Sequence, residues 1–199
     1  VGKSGDYTSF NAVRQALADG VEGAVTFEIL DGSYNENIFI SDVKGTSESS
    51  PVTFRSQSGN RAAVVITGSM PTSSVDIYAE PNPEYISYHH EGMVQVQRTP
   101  YVTFRDMTFQ PTQGVEYHSV MNVYDMSHHV TVDNCAFSCQ QYYGSGSLTD
   151  PHPNPYLLRV ESPSVENHTC DNFTVTNSFF SGGHGAINIQ GSGYVAHPR

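Results

Sequence analysis

Three segments of the chain share one pattern of apolar and polar positions. They read YVTFRDMTF, HVTVDNCAF and NFTVTNSFF, begin at Tyr101, His129 and Asn172, and align without gaps. Apolar or small residues recur in each at steps of two, three and two. A step of two predicts a short strand, and the step of three requires a tight bend that turns both strands towards one interior. The predicted inward residues are Val102, Phe104, Met107 and Phe109, then Val130, Val132, Cys135 and Phe137, then Phe173, Val175, Ser178 and Phe180.

The bends and a third strand complete the repeat. Each bend carries Asp106, Asn134 or Asn177, residue types that tolerate the left-handed backbone conformation and can stack as a ladder between coils. A third strand precedes each pair: MVQV at Met93, VMNV at Val120, LLRV at Leu157, and AINI at Ala186 for a coil that is only begun. The pattern predicts an all-β fold, a right-handed parallel β-helix solenoid.

Earlier coils and a helix precede these repeats. PVTFRSQSGN at Pro51 with VVI forms one coil, and VTFEIL at Val25 with NIFI forms the coil before it. Helical spacing of apolar residues predicts a capping helix over Ser9 to Asp19, with Ser9 or Thr8 as its N-cap. We interpret 1–199 as a single domain, with a cap over 1–24 and coils over 25–199. No matching cap is evident after Gly193, so we expect a stack that is truncated at its C-terminal end, or further domains or a partner chain there.

Composition narrows the classes of partner. A net charge of −11, with only nine Lys and Arg, would repel phosphate backbones and anionic lipid. We therefore expect no nucleic-acid partner. No apolar run has the length of a membrane span, so we expect none.

The extra length of the later coils must leave the stack as loops, at 67–92, 110–119, 138–156 and the short 181–185. These loops occupy one corner of successive coils and are predicted to form a shared rim. Tyrosine suits sugar rings, and histidine and carboxylates suit proton transfer. The alternative is that these residues only pack irregular loops. The predicted substrate-binding residues are Tyr85, Tyr88, His89, Glu91, Tyr117, Tyr142, Tyr143 and His152.

These features resemble the pectin-lyase-like superfamily of parallel β-helices over essentially the whole chain. The opening GDYTSFNAVRQALADG with VTFEILDGSYNENIFI is similar to the cap and first coil of pectin methylesterases and of repeat-bearing bacterial surface proteins. The phrase SSPVTFRSQSGN makes the surface proteins the nearer likeness. Gln140 and Gln141 are followed by Tyr-Tyr rather than by the motif of the esterases, which argues against esterase chemistry.

Two other activities follow from the resemblance. GGHG around His184 resembles the Gly-His-Gly segment of polygalacturonases, although Asn172 follows Asp171 where those enzymes have paired aspartates. Polysaccharide lyases of this fold use a Lys or Arg base with calcium held by carboxylates. The basic candidates are Arg98, Arg105, Arg159 and Arg199, with solvated sheet residues as the alternative reading. The candidate catalytic residues are His184, His118 and Glu116.

The sequence favours no metal site of its own, and Ca²⁺ enters only through the lyase resemblance. Cys135, Cys139 and Cys170 lack zinc-type spacing and are predicted to be reduced core residues, with one disulfide as the alternative. The pairs His89–His90 and His128–His129 are expected to point to opposite faces of extended strands.

The resulting prediction is an extracellular or bacterial cell-surface β-helix that binds or processes a polysaccharide or surface glycan through the Tyr/His/Glu rim. As an enzyme it would be a polysaccharide lyase or a glycoside hydrolase. The alternative is a non-catalytic adhesin or spacer module of a larger surface protein.

Overall fold

A short capping helix opens the fold. The computed structural model describes residues 1–69, 92–112, 119–139, 156–162, 168–183 and 185–191. Helix α1 (Phe10–Leu17) begins after Ser9, whose Oγ accepts a hydrogen bond from the Ala12 backbone N–H at 3.1 Å. Phe10, Val13 and Leu17 are buried, because their spacing places them on one face of the helix. The predicted capping helix is confirmed, and it ends two residues before Asp19.

Fifteen strands in the described part of the chain form three parallel sheets. Sheet 1 contains β1 (Val25–Ile29), β4 (Val52–Ser56), β7 (Val102–Arg105), β10 (Thr131–Asp133) and β13 (Thr174–Thr176). Sheet 2 contains β2 (Gly32–Tyr34), β5 (Val64–Ile66), β8 (Thr108–Phe109), β11 (Ala136–Cys139) and β14 (Phe179–Gly182). Sheet 3 contains β3 (Ile38–Ser41), β6 (Gly92–Gln97), β9 (Ser119–Tyr124), β12 (Tyr156–Glu161) and β15 (Gly185–Gln190). Each coil contributes one strand to every sheet, which confirms the right-handed parallel β-helix.

The interior is built from stacked columns of the predicted inward residues. Thr103, Thr131 and Thr174 pair in register, so the residues before them, Val102, Val130 and Phe173, lie one above another. In sheet 2 the rings of Phe109, Phe137 and Phe180 stack with centroids 5.0 Å apart at each step. The inward side chains of the coils formed by β7 to β9 and β10 to β12 are buried, whereas Val175 and Phe180 of the last described coil are half-buried.

The corner between sheets 1 and 2 contains the predicted polar ladder. Asp106, Asn134 and Asn177 have φ of 58°, 49° and 51°. The Asn134 Nδ2 donates to Asp106 Oδ1 at 2.6 Å, as expected for a ladder. Asn177 differs, because its Nδ2 donates to Asp133 Oδ1 at 2.9 Å rather than to Asn134. These bonds fix the bend that the step of three in the sequence requires.

The connections from sheet 2 to sheet 3 fall at the same corner of successive coils. They span 67–91, 110–118, 140–155 and 183–184. Most of their residues, 70–91, 113–118, 140–155 and 184, lie outside the described part of the chain. Among the residues that are described, no helix is long and apolar enough to cross a membrane.

Candidate functional site

The predicted rim residues lie outside the described residues. This holds for His184, His118 and Glu116 and for the eight predicted substrate-binding residues, which therefore stay predictions. Their place in the sequence still connects them with one sheet. Glu91, His118 and His184 directly precede Gly92, Ser119 and Gly185, the first residues of three sheet 3 strands. The outer face of sheet 3 is thus the part of this region whose geometry can be described.

The outer face of sheet 3 is buried. Val94 and Val96 stack on Ile38 and Ile40 in the core, so the alternating residues Met93, Gln95 and Gln97 point to the opposite face. On that face Met93, Val120 and Leu157 are 0% exposed. A polar column runs beside them, in which Gln95 pairs in register with Asn122, Asn122 with Arg159, and Arg159 with Asn188.

The side-chain amides of the first two residues in this column, Gln95 and Asn122, have no hydrogen-bond partners. Gln95 is 4% exposed and Asn122 is 1% exposed. The side-chain nitrogen and oxygen of both residues, and Asn188 Oδ1, are buried without a partner. An unsatisfied buried polar group costs about 1–3 kcal/mol, and nearly all such groups in folded proteins are paired. Two adjacent unpaired amides in register therefore indicate groups kept for a ligand or for bound water.

The backbone packs closely at the start of β6. Gly92 begins β6 and lies beside Ser119, the first residue of β9. A Cβ atom at Gly92 would lie 2.4 Å from the backbone oxygen of Val94 in its own strand, and 2.9 Å from the backbone nitrogen and 3.1 Å from the Cβ of Asn122 in the neighbouring strand. Because these are backbone and Cβ atoms, no side-chain rotation relieves the clash. Glycine is therefore required by both the local backbone of β6 and the approach of β9.

The later coils carry the charged pair of the face. Arg159 Nη2 lies 2.5 Å from Glu161 Oε1, and their side chains are 24% and 13% exposed. Glu161 pairs in register with Tyr124, which pairs with Gln97, so a second polar column runs parallel to the first. The reading of Arg159 as a solvated sheet residue is wrong, since it is largely buried and ion-paired. The same reading is right for Arg105 of sheet 1, whose side chain is 54% exposed.

A network of charged side chains lies where sheet 3 ends. Asp42, Arg98 and Asp125 follow β3, β6 and β9, each with positive φ. Arg98 forms a two-pronged ion pair with Asp42, at 2.6 Å for both bonds, and its Nη1 lies 3.5 Å from Asp125 Oδ2. The Nδ1 of His168 lies 2.6 Å from Asp125 Oδ1. Burial opposes ionisation of Asp42, but hydrogen bonds from Arg98 and Ser41 outweigh it and lower the pKa of Asp42.

The expectation that His128 and His129 point to opposite faces is wrong. Their Nδ1 atoms lie 2.7 Å apart, because His129 has a φ of 57° and the extended alternation does not apply. The Tyr101 ring stacks on His129 at 4.5 Å. Burial, and then the charge of His129, lower the pKa of His128, while Asp171 acts in the opposite direction.

The three cysteines and the other described metal-ligand side chains can be checked for reactivity and for metal binding. Cys135, Cys139 and Cys170 are free thiols, and burial raises the pKa of Cys135 and of Cys170 to about 12, which makes them poor nucleophiles. Across the described ranges, no group of three or more His, Cys, Asp or Glu side chains is arranged to hold a metal ion. The calcium that the lyase resemblance implies stays a prediction, because the carboxylates of the rim lie outside the described residues.

The sequence analysis missed the amide column, although the repeat contains a signal for it. MVQV, VMNV, LLRV and AINI each hold a long polar residue at the third position, and these residues are Gln95, Asn122, Arg159 and Asn188. The two apolar residues before it point to opposite faces, as adjacent strand residues do. An apolar residue on both faces beside a recurring polar residue is the pattern of a strand that is covered on both sides.

Comparisons with known proteins give a fold likeness and no family. No protein-family model matches the chain, and no curated protein matches it. Among solved structures, the chain is similar to a pectin methylesterase from Yersinia enterocolitica, with 12% identity, a TM-score of 0.47 and coverage of 79% of this chain. It is also similar to a rice weevil pectin methyl esterase, with 14% identity, a TM-score of 0.43 and coverage of 92% of this chain. The chain spans 55% of the first structure and 66% of the second.

Proposed function

We propose that the protein binds a polysaccharide at the loop rim that leads into sheet 3, and that Gln95 and Asn122 of the adjoining outer face take part in the site. The observation that carries this proposal is the pair Gln95 and Asn122, whose four amide atoms are buried without hydrogen-bond partners. A primary amide offers two donors and one acceptor oxygen, a set that matches neighbouring hydroxyl groups of a sugar. A sugar that satisfies these atoms would remove the desolvation cost that the free protein bears.

The repetition of the face favours a polymer over a small molecule. Successive strands lie about 4.8 Å apart, so the polar columns repeat along the solenoid axis at that spacing. An extended polymer that lies along the axis would meet an equivalent position in each coil. Tyr124 is half-buried in the second column and offers an aromatic ring with a polar tip, a combination that suits sugar rings.

Within the described residues, the face supports binding more than turnover. Arg159 and Glu161 are its one charged pair, and each neutralises the other. Hydrolysis of a glycosidic bond generally uses two carboxyl groups that flank the bond. If the protein is an enzyme, a polysaccharide lyase or glycoside hydrolase, its catalytic groups would be His184, His118 and Glu116, which precede or lie close to strands of this sheet in the chain. The setting that we propose is extracellular or at a bacterial cell surface.

A double variant tests the amide column. Gln95→Leu with Asn122→Leu should abolish binding on a glycan array and in calorimetry, since the amide hydrogen bonds are lost while side-chain volume is largely kept. The matched control is Thr103→Val with Thr131→Val, on the outer face of sheet 1, which should bind as the unaltered protein does. Equal affinity of both double variants would exclude the sheet 3 face. Reducing-end and unsaturated-product assays with the bound polymers would then distinguish a hydrolase, a lyase and a non-catalytic binder.

A second variant tests the rim separately. Tyr88, Tyr117 and Tyr143 replaced together by Ala should weaken glycan binding with little change in melting temperature, if the rim contributes to the same site. Unchanged affinity would remove the rim and leave the sheet 3 face as the site.

The alternative is an adhesin or spacer module, and one observation favours it. Phe179, Ile187 and Ile189 of the last described coil are 57%, 40% and 71% exposed. Large apolar side chains of this kind are what a further coil or a partner chain would cover. Failure of the unaltered protein to bind any glycan on the array would favour this alternative.

A further inference from the structure

The adjacent histidines His128 and His129 place two ring nitrogens side by side at the corner between sheets 3 and 1. Their Nδ1 atoms lie 2.7 Å apart, and the planes of the two rings meet at 79°. His129 is exposed and His128 is half-buried, so the pair is reached from solvent. Neutral imidazole is the commonest metal ligand among side chains. The function proposed above makes no use of this pair.

Contacts with the preceding and the following coil hold the two rings in place. The φ of 57° at His129 turns its ring towards that of His128. The Tyr101 N–H donates to the His128 carbonyl at 3.0 Å, and the His129 N–H donates to the Asp171 carbonyl at 2.9 Å. The Tyr101 ring stacks on His129 at 4.5 Å and meets His128 edge-on at 5.5 Å. Ligands that are held before binding lose little freedom when an ion arrives.

The distance between the two nitrogens selects the kind of ion. Imidazole nitrogen binds metal ions at about 2.0 Å, so neighbouring nitrogens lie about 2.8 Å apart around a square-planar ion and about 3.3 Å apart around a tetrahedral one. The observed 2.7 Å fits the planar arrangement. We infer that His128 and His129 are the two side-chain ligands of a site for Cu²⁺ and, more weakly, Ni²⁺, with water in the remaining positions.

Two ligands from the protein agree with the rest of the described structure. The described ranges contain no group of three or more His, Cys, Asp or Glu side chains that could hold an ion. The site is therefore an open one, in which water completes the coordination and can be replaced by another small ligand. Zinc, which favours a closed tetrahedral set of ligands in structural sites, fits less well.

The charges around the pair favour a bound cation. Burial, and then the charge of His129, lower the pKa of His128, which keeps this ring in the neutral form that binds metal ions. The Asp171 carboxylate acts on His128 in the opposite direction and so supplies a negative charge near the pair. Thr169 Oγ1 donates to that carboxylate at 2.7 Å and holds it there.

Binding requires a change of tautomer and no net loss of a proton. In the neutral pair one Nδ1–H donates to the other Nδ1, so the first ring carries its proton on Nδ1 and the second on Nε2. The ion takes the Nδ1 lone pair of both rings, and the first ring transfers its proton through water to its own Nε2. Small rotations of the rings aim both lone pairs at the ion.

Titration with copper sulfate tests the site, by calorimetry and by electron paramagnetic resonance of the bound ion. The unaltered protein should bind Cu²⁺ with hyperfine splitting from imidazole nitrogens, and about tenfold or more tighter than Zn²⁺. Loss of a residue that only orients a metal ligand costs about 10- to 100-fold, so His128→Gln and His129→Asn should each weaken binding about 100-fold. Asparagine at position 129 tolerates the positive φ and preserves the fold.

Two controls separate this site from general binding of copper by histidine. His89→Gln with His90→Gln removes the other adjacent histidine pair of the sequence and should leave the affinity unchanged. Tyr101→Phe keeps the stacked ring and should also bind as the unaltered protein does, whereas Tyr101→Ala removes the support of both rings and should weaken binding about tenfold. Circular dichroism of the metal-free variants verifies that each is folded.

The outcomes are distinct. Tight Cu²⁺ binding that both single histidine variants lose and that the His89, His90 double variant keeps would support the site. Binding that survives His128→Gln and His129→Asn, or that follows His89 and His90 instead, would overturn it. Equal or tighter binding of Zn²⁺ would overturn the planar assignment. Glycan binding by metal-free protein is measured separately, so failure of either proposal leaves the other to its own test.

Discussion

Sheets 1 and 3 are built from the same coils, yet the polar side chains on their outer faces are exposed to solvent in sheet 1 and buried in sheet 3. The outer face of sheet 1 is a column of threonines in register, all at least partly exposed: Thr26, Thr53, Thr103, Thr131 and Thr174. Beside them, exposed charges pair across strands, as Glu28 does with Arg55. Sheet 3 buries its outward residues and leaves the amides of Gln95 and Asn122 unpaired. The polar groups of the first face are open to water, whereas two amides of the second face are buried without a partner.

The largest expected effect comes from breaking the interior that both faces share. Phe104 is 0% exposed and stacks on Phe54 with centroids 5.2 Å apart. Phe104→Ala should lower the free energy of unfolding by about 3–5 kcal/mol through loss of burial and formation of a cavity. Urea denaturation measures it, and hydrogen exchange should show both sheets losing protection. The control Phe179→Ala removes a ring that is 57% exposed and should cost far less. Similar losses for the two variants would contradict the inward register.

The next largest effect compares a buried arginine at the end of sheet 3 with an exposed arginine on sheet 1. Arg98→Met leaves Asp125, whose side chain is 5% exposed, without its guanidinium and should cost about 3 kcal/mol. Arg105→Met removes a 54% exposed side chain beside Asp133 and should cost about 0–1 kcal/mol. Urea midpoints at equal m-values measure both. If Arg105→Met proved the more costly change, the contrast between a buried and a solvated charge network would fail.

Asn122→Leu sharpens the comparison, because stability and binding should change in opposite directions. The variant removes two unsatisfied buried atoms and should stabilise the free protein by about 1–3 kcal/mol while glycan affinity falls. Thr131→Val on sheet 1 should change stability by less than about 0.5 kcal/mol and leave affinity unchanged. Thermal melts and calorimetry measure the two properties. Destabilisation by Asn122→Leu would mean that the amide has a structural partner.

Acid titration should give the smallest effect and separates the contribution of His128 from that of Asp133 at the sheet 1 face. The pKa of His128 is lowered, so its stabilisation of the fold is complete above its unfolded value near 6.5 and is lost as pH falls through the folded value. Hydrogen bonds from Asn177 and Thr176 lower the pKa of Asp133 at the sheet 1 face, and that contribution is lost only below 3.8. The amides of Gln95 and Asn122 do not titrate. His128→Gln should remove the weakly acidic step in the urea midpoint and Asp133→Asn should preserve it, while the reverse pattern would contradict this assignment.

The sequence by itself determined the coil. The steps of two, three and two predicted which side chains of the later coils face inward and where Asp106 and Asn134 bend the chain, because strand alternation and left-handed turns are properties of neighbouring residues. The same local reasoning failed at His128 and His129, where one residue with positive φ turns two rings towards each other.

Only the tertiary structure decided which outer face is buried and which charges are paired. Arg98 meets Asp42 across 56 positions of sequence, and His168 meets Asp125 across 43. The threonine column and the amide column both alternate with inward apolar residues. Burial of an outward side chain depends on what the rest of the chain places over it, and an ion pair depends on which coils are neighbours. Neither is a property of a local pattern, so the same kind of strand is a solvated surface in sheet 1 and a candidate binding face in sheet 3.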